Sequence, residues 1–139
     1  MKSLISLFAL AAVAACHSAT APSPSAQQVS GAEVVVALND TASLGDTGVR
    51  VRFVSVMEDS RCPIDAVCIW AGNARIALDL SNKTSTVQRG TLNTNTQSGA
   101  KELTFSGYLI QLVELDPAPQ ASDTSRAYQA RLRWRSLLD

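Results

Sequence analysis

The chain has 139 residues, and its 12 lysines and arginines balance its 12 aspartates and glutamates, so the formal net charge at pH 7 is zero. This balance argues against nucleic acid as a bulk partner, and no block of like charge suggests an interaction tail. Aromatic residues make up 5% of the chain, which leaves little material for a ligand site built from stacked rings.

The first fifteen residues have the pattern of an export signal. Lys2 supplies a positive charge, and Leu4 to Ala15 form an apolar stretch of twelve residues that only Ser6 interrupts. As a helix this stretch reaches about 18 Å, well short of the ~30 Å hydrocarbon core of a bilayer. A permanent membrane span is therefore not expected.

Residues 13–16 are Val-Ala-Ala-Cys, which resembles the lipobox of bacterial lipoproteins. In that family the cysteine sulfur receives a diacylglyceryl group and becomes the new N-terminus. The resemblance therefore implies acylation of Cys16 with chains of the palmitate type, and removal of residues 1–15. An ordinary secreted signal followed by a chance cysteine is the alternative. In lipoproteins of enteric bacteria an aspartate after the cysteine is the usual signal for retention in the inner membrane. His17 stands at that position here, so for an organism with two membranes that follows this rule the resemblance implies an outer-membrane location, facing the periplasm or the cell surface.

Residues 16–31 predict a lipidated N-terminus followed by a disordered tether. Residues 19–30 (ATAPSPSAQQVS) are small and polar and contain two prolines, a composition typical of a semi-extended linker. A dozen such residues reach at most about 40 Å. Residues 32–139 then form a single domain, which is long enough to bury a hydrophobic core.

From Glu33 onward, short β-favouring segments alternate with turn signals. The clearest strand begins at Val49, where Val49, Val51 and Phe53 alternate with arginines in the period of two that is typical of a half-buried strand. The predicted strands are 33–38, 49–58, 73–81, 84–92, 102–105, 108–115 and 127–137.

About seven strands without a helical period predict an all-β fold, an antiparallel two-sheet sandwich of immunoglobulin-like size. A small β-barrel is the alternative. The order of the strands within the sheets does not follow from the sequence.

If Cys16 carries lipid, Cys62 and Cys68 remain, and in an oxidising envelope such a pair predicts a disulfide. The closed loop is short, so the bridge should contribute only about 2–2.5 kcal/mol and should shape one loop more than the whole fold. Redox and metal roles are the alternatives. The spacing is wrong for a Cys-x-x-Cys redox site, and zinc needs more ligands than two thiols.

Residues 59–73 join the two clearest strands and contain the densest group of unusual residues. They begin Asp-Ser-Arg-Cys-Pro and continue with Cys68, Trp70 and Gly72. This pattern, D-S-R-C-P followed by C-x-W-x-G, is similar to one found in a group of small exported bacterial proteins, mostly uncharacterised. The resemblance implies a related fold and an exported location, but no activity.

Two interpretations of this loop are open. In the first, Asp59 and Arg61 pair or bond loop backbone, and Trp70 packs over the disulfide as part of the core. In the second, Asp59, Arg61, Trp70 and Asn73 form an exposed recognition patch on a rigid loop. An exposed Trp70 beside a free Arg61 guanidinium would favour the second interpretation.

A stripe of arginines is predicted on the outer face of the last strand. Arg131, Arg133 and Arg135 alternate there with residues expected to point inward: Tyr128, Ala130, Leu132 and Trp134. The stripe is either an ordinary solvent face that discourages edge-to-edge aggregation or a contact for anionic lipid headgroups and lipopolysaccharide phosphates.

The residues needed for catalysis are missing from the sequence pattern. The only histidine is His17, outside the predicted domain, so a serine triad is excluded by inventory. Glu58 and Asp59 are adjacent on a strand and point to opposite faces, which makes them a poor acid–base pair. There is no phosphate loop, dinucleotide fingerprint or EF-hand.

We therefore expect a membrane-anchored envelope lipoprotein that serves as a binding or accessory module, with no catalytic residues, metal or cofactor. Its partners would be the membrane, through the lipid, and an envelope protein. The alternatives are a structural or inhibitory partner of an envelope enzyme and, after that, a hydrolase. A cleft with converging carboxylates would favour the hydrolase.

Overall fold

The computed structural model describes residues 31–84, 87–123 and 125–138. The predicted export signal, the lipidation site at Cys16 and the tether as far as residue 30 lie outside these ranges, and so do residues 85 and 86 of the predicted fourth strand. Among the described residues, no helix has the length and apolar character that crossing a membrane requires.

Eight strands form two antiparallel sheets of four strands each, which confirms the predicted all-β sandwich. The strand orders are β1-β8-β7-β6 and β2-β3-β4-β5, and both sheets are open, so the barrel alternative is wrong. The strands are β1 Ala32–Ala37, β2 Thr41–Ser43, β3 Arg50–Asp59, β4 Ala74–Ser81, β5 Gln88–Asn93, β6 Glu102–Phe105, β7 Tyr108–Asp116 and β8 Gln129–Ser136. One 3₁₀ turn, Gly45–Thr47, connects β2 to β3.

The core lies between the sheets and follows the predicted alternation. In β3, the buried Val51 and Phe53 alternate with the exposed Arg50 and Arg52. The inner face of β4 consists of fully buried Ala74, Ile76, Leu78 and Leu80, and that of β8 contains buried Ala130 and Leu132. Tyr128 and Trp134 pack against this core from its edges.

The short strand β2 is absent from the sequence prediction. Its three residues, Thr-Ala-Ser, place one partly buried alanine between two exposed polar residues, which is too short an alternation to predict a strand. Their pairing with β3 (Thr41 opposite Arg52) makes them one. The prediction therefore has about seven strands where the described residues form eight.

Two bulges in β3 determine where its last side chains point. The register against β4 shifts between Phe53 and Ser55 and again between Val56 and Glu58. As a result Asp59 lies opposite the fully buried Ala74 and shares its inner face, while Glu58 is exposed. The inner face of the sandwich thus ends in a carboxylate.

The sandwich has two distinct ends. We call one the N-terminal end: there Gly31 approaches Trp134 and Ala32 begins β1 opposite the same tryptophan. The other is the loop end, where Ala37 faces Gln129 in β8 and the connection between β3 and β4 leaves the sheets. The eight residues of β8 separate the two ends by about 25 Å.

Candidate functional site

The β3–β4 connection, residues 60–73, is a loop with a tightly closed neck. The amide of Ser60 donates to the carbonyl of Asn73 at 2.7 Å, and the Ser60 hydroxyl donates to the same carbonyl at 3.0 Å. Gly72 has φ of +65°, and a Cβ at this position would lie 2.1 Å from the carbonyl oxygen of Ser60. The backbone of Ser60 approaches the backbone of residue 72 so closely that this position requires glycine.

A disulfide closes the outer part of the loop. The Sγ atoms of Cys62 and Cys68 lie 2.17 Å apart, as the isolated cysteine pair predicts. Two contacts attach this part of the loop to the segment after β7. The amide of Ile64 donates to the carbonyl of Pro119 at 2.9 Å, and the Asp65 carboxylate accepts from the amide of Ala121 at 3.0 Å.

Asp59, at the foot of the loop, accepts hydrogen bonds from three side chains, and its own side chain is 6% exposed. Arg61 donates to both carboxylate oxygens at 2.8 Å, the Tyr128 hydroxyl donates at 2.9 Å, and Arg126 donates at 3.4 Å. We call these four residues the base network. Burial opposes ionisation, but the hydrogen bonds from Arg61 and Tyr128 and the charge of Arg61 outweigh it and lower the pKa of Asp59.

The Arg61 guanidinium is fully engaged. Besides its paired bonds to Asp59, it donates to the carbonyl of Leu115 and, at 3.0 Å, to that of Pro117. It therefore joins the sheet of β3 to the sheet of β7. The recognition-patch interpretation is wrong for Asp59 and Arg61, because a charge pair removed from water needs all these partners to remain charged.

Asn73, also predicted as an exposed binding residue, is 5% exposed, and its side chain is bonded on both sides. Its amide nitrogen donates to Oδ1 of Asn93 at 2.9 Å, and its Oδ1 accepts from the backbone amide of Asn95 at 3.1 Å. The prediction is therefore wrong for Asn73. The residue attaches the neck of the loop to the turn after β5.

Trp70 lies in the opposite environment. The expectation that it packs over the disulfide as core is wrong, since the residue is 65% exposed. The loop leaves the sandwich at Ser60 and returns at Asn73, so residues between these points lie outside both sheets. Three aliphatic neighbours are at least as exposed: Ile64 (67%), Val67 (101%) and Ile69 (94%). We call these four residues the apolar tip.

Most of the tip backbone is free as well, the exception being the amide of Ile64, which is bound to the carbonyl of Pro119. Neither the N–H nor the C=O groups of Val67, Ile69, Trp70 and Ala71 form a hydrogen bond with any residue that the structure describes. The tip therefore presents exposed apolar side chains together with unpaired main-chain donors and acceptors.

A polar cleft of about 520 Å³ borders the loop. Arg61, Gly72 and Asn95 line it together with Gln97 and Lys101, so it offers hydrogen-bonding groups and positive charge. Its described lining includes no carboxylate. Nor do the described residues bring three or more histidine, cysteine, aspartate or glutamate side chains together at a possible metal site.

The arginine stripe lies on the outer face of β8, largely paired with carboxylates. Arg131 is 3.2 Å from Glu114 and 3.8 Å from Asp116, and Arg133 pairs with Glu33 on β1. Arg135 is exposed and forms no ion pair within the described ranges. Cross-strand pairing leaves little net positive charge for headgroups, so the arrangement favours the solvent-face interpretation.

The sequence singled out Trp70 but not the three aliphatic residues around it. A signal for them was present: residues 66–72 contain no charge and lie in a loop that the cysteines close outside any strand. A short closed loop cannot bury its own apolar side chains, so such a run predicts an exposed patch.

In chemical terms the site combines a rigid charged base, an uncharged apolar tip with a free backbone, and a polar cleft beside it. None of the tip side chains can transfer a proton or act as a nucleophile. Comparisons with protein-family models, with curated proteins and with solved structures find no match to this chain.

Proposed function

We propose that the protein is a lipid-anchored module of the bacterial cell envelope that works by contact, through its apolar tip, and without catalysis. The observation that carries this proposal is the exposure of Val67, Ile69 and Trp70 on a loop fixed at its base. Three large apolar side chains within four residues of one another, each at least 65% exposed, are typical of a surface that contacts something. A loop that is already ordered loses little conformational entropy on binding.

The location follows from the sequence pattern at Cys16. Acylation there would hold the protein on a membrane, and the outer membrane is the location that His17 favours. The disulfide between Cys62 and Cys68 supports an oxidising compartment such as the periplasm or the cell surface.

The absence of catalysis is supported by the state of the nearby carboxylates. Asp59 is buried under three donors, and Asp65 accepts from the backbone of Ala121. Asp59 is therefore not free to act as a general acid or base at the tip. A structural or inhibitory partner of an envelope enzyme is the second candidate, favoured by the exposed apolar side chains on the disulfide-closed loop.

The native size of the full-length protein, gently solubilised from its own envelope, tests the contact function. We expect the wild type to migrate as an assembly larger than a monomer in its micelle, and Ile69→Ser with Trp70→Ser to migrate as the monomer. The matched control, Val87→Ser with Leu138→Ser, removes exposed apolar side chains from the N-terminal end and should behave as wild type. Equal sizes for all three proteins would contradict contact through the tip.

The anchor is tested separately by the intact mass of the membrane-extracted protein. We expect the mass of residues 16–139 plus diacylglyceryl and acyl groups on Cys16. An unmodified cysteine, or a chain that retains residues 1–15, would contradict the anchor without bearing on the tip.

A further inference from the structure

On the basis of the proposed function, in which the apolar tip is the contact surface, we infer that the tip docks to a protein and not to a lipid bilayer. That protein has an apolar pocket for Trp70 and Ile69. It also offers main-chain or side-chain groups that pair with the free backbone of residues 67–71.

The free backbone is the first ground for choosing a protein. The N–H and C=O groups of Val67, Ile69, Trp70 and Ala71 have no partner in the described part of the chain. Hydrocarbon offers no hydrogen-bond partners, so insertion of this segment into a bilayer would bury these groups unpaired. A protein surface satisfies the backbone and the apolar side chains together, as when an extended segment pairs with the edge of a sheet.

The position of the tip is the second ground. The chain enters the domain at Gly31, beside Trp134, whereas the loop leaves from the opposite end of the strands. When Cys16 is in the membrane, the intervening residues attach the N-terminal end to the bilayer. The apolar tip lies at the other end of the strands, about 25 Å from this point of attachment, so insertion of the tip would require the whole domain to turn over on its tether.

The charges around the tip are the third ground. Surfaces that bind anionic bilayers combine apolar residues with several free lysines or arginines. Here residues 66–72 carry no charge, and the Arg61 guanidinium is bound to Asp59 and two carbonyls. Lys101 in the neighbouring cleft is a single cation, too little for headgroup binding.

The arrangement of the tip and the cleft matches a protein interface. Such interfaces have an apolar centre, often anchored by tryptophan, inside a polar rim. Trp70 and Ile69 supply the centre, and Asn95, Gln97 and Lys101 at the cleft supply polar groups along one side.

Site-specific photocrosslinking in the native envelope tests the inference. A photoreactive amino acid replaces Val67 in the full-length protein, and a second variant carries it at Leu138, at the other end. We expect position 67 to give one adduct whose mass shift is that of a protein other than this chain. The adduct should fall at least tenfold when Trp70→Ser is added, and position 138 should not give it.

Three outcomes would overturn the inference: adducts to phospholipid or lipopolysaccharide, an adduct of twice the chain's mass, or no adduct that depends on Trp70. A second measurement uses full-length protein in vesicles of phosphatidylethanolamine and phosphatidylglycerol that contain brominated lipid. The brominated lipid should quench the same amount of tryptophan fluorescence in wild type and in Trp70→Phe. Quenching that is seen in wild type and lost in the variant would indicate that Trp70 inserts into the bilayer.

The two experiments separate the inference from the function on which it rests. A native assembly that depends on the tip, combined with lipid adducts, would leave the contact function standing and remove the protein partner. A wild type and a tip variant of equal size, with no adduct, would remove both.

Discussion

The base network lies at the foot of the loop that carries the apolar tip, yet the two use opposite chemistry. At the base, Asp59 and Arg61 are charged, shielded from water and bonded across both sheets. At the tip, Val67 and Ile69 are apolar and almost fully exposed. This reverses the usual distribution, in which apolar groups are inside and charges outside.

The reversal indicates that the base network and the apolar tip have different roles. A buried charge pair contributes modest net stability, but it fixes geometry, because each donor has only a few acceptors within reach. Exposed apolar side chains are hydrated unfavourably in the free protein, and their burial on contact with a partner lowers the free energy. The charges therefore hold the loop in place, and the apolar residues are what it presents.

The largest loss of stability is expected when the carboxylate of the base network is removed. Asp59→Ala leaves Arg61, Arg126 and Tyr128 without their shared acceptor, so we expect the free energy of unfolding in urea to fall by about 3 kcal/mol. The matched control is Asp79→Ala. Its ion pair with the exposed Arg89 is screened by solvent and should contribute much less. Equal losses of unfolding free energy in the two variants would mean that the base network does not hold the loop in place.

Removing the disulfide tests the other constraint on the tip. Cys62→Ser with Cys68→Ser should lower the free energy of unfolding by about 2 kcal/mol, because the bridge closes only a short loop. Amide exchange should quicken at residues 63–71 and stay unchanged at the core strand β4. Unchanged exchange in the loop would show that the neck and the base network alone hold the tip.

Acid should destabilise the base network, through protonation of Asp59, before it affects the apolar tip. The pKa of Asp59 is lowered in the folded protein, so between that value and the unfolded value of about 3.9 the unfolded state binds more protons. The stability from Asp59 is therefore full above about pH 4 and is lost as the pH falls through the folded pKa.

The measurement that checks this is the difference in unfolding free energy between wild type and Asp59→Asn, followed from pH 5 to pH 2. We expect the difference to shrink as the pH falls. A difference that grows in acid would contradict the direction of the shift. Asp79, whose pKa is also lowered by its hydrogen bond from Arg89, is present in both proteins and cancels.

The smallest effect on stability is expected at the tip. Trp70→Ser removes a side chain that rests mostly in solvent, so the free energy of unfolding should change by no more than about 0.5 kcal/mol. We expect the substitution to weaken contact with a partner instead, measured as the loss of the native assembly. A loss of stability comparable to that of Asp59→Ala would instead indicate that Trp70 is a structural residue.

The strands could be predicted because their signal is local. Alternation in β3 and β4 places Phe53, Ile76 and Leu78 in the core, and the structure confirms it. The bridge between Cys62 and Cys68 was also predictable, since two cysteines remained to pair. In contrast, β2 is a strand only because β3 lies beside it, and no pattern within three residues reveals a neighbour.

The site was harder to predict because its contacts are distant in sequence. Arg61 reaches the carbonyl of Leu115, 54 residues away, and Asn73 reaches Asn93 across 20 residues. Their burial depends on the packing of the two sheets, which local pattern does not specify. Of the two interpretations of Trp70, the core one fails for a related reason: a tryptophan beside a disulfide packs inward only when both lie within the sheets.

The position of Gly31, where the chain enters the domain, has a mechanical consequence. If the membrane holds one end of the domain and a bound partner holds the other, tension runs along the strands and pulls β1 lengthwise against β8. The six residue pairs between these strands, from Ala32–Trp134 to Ala37–Gln129, then share the load in shear, because their hydrogen bonds lie across the direction of pull. Under such a pull β1 could not be unzipped one bond at a time, so the sandwich would carry the tension without first peeling open.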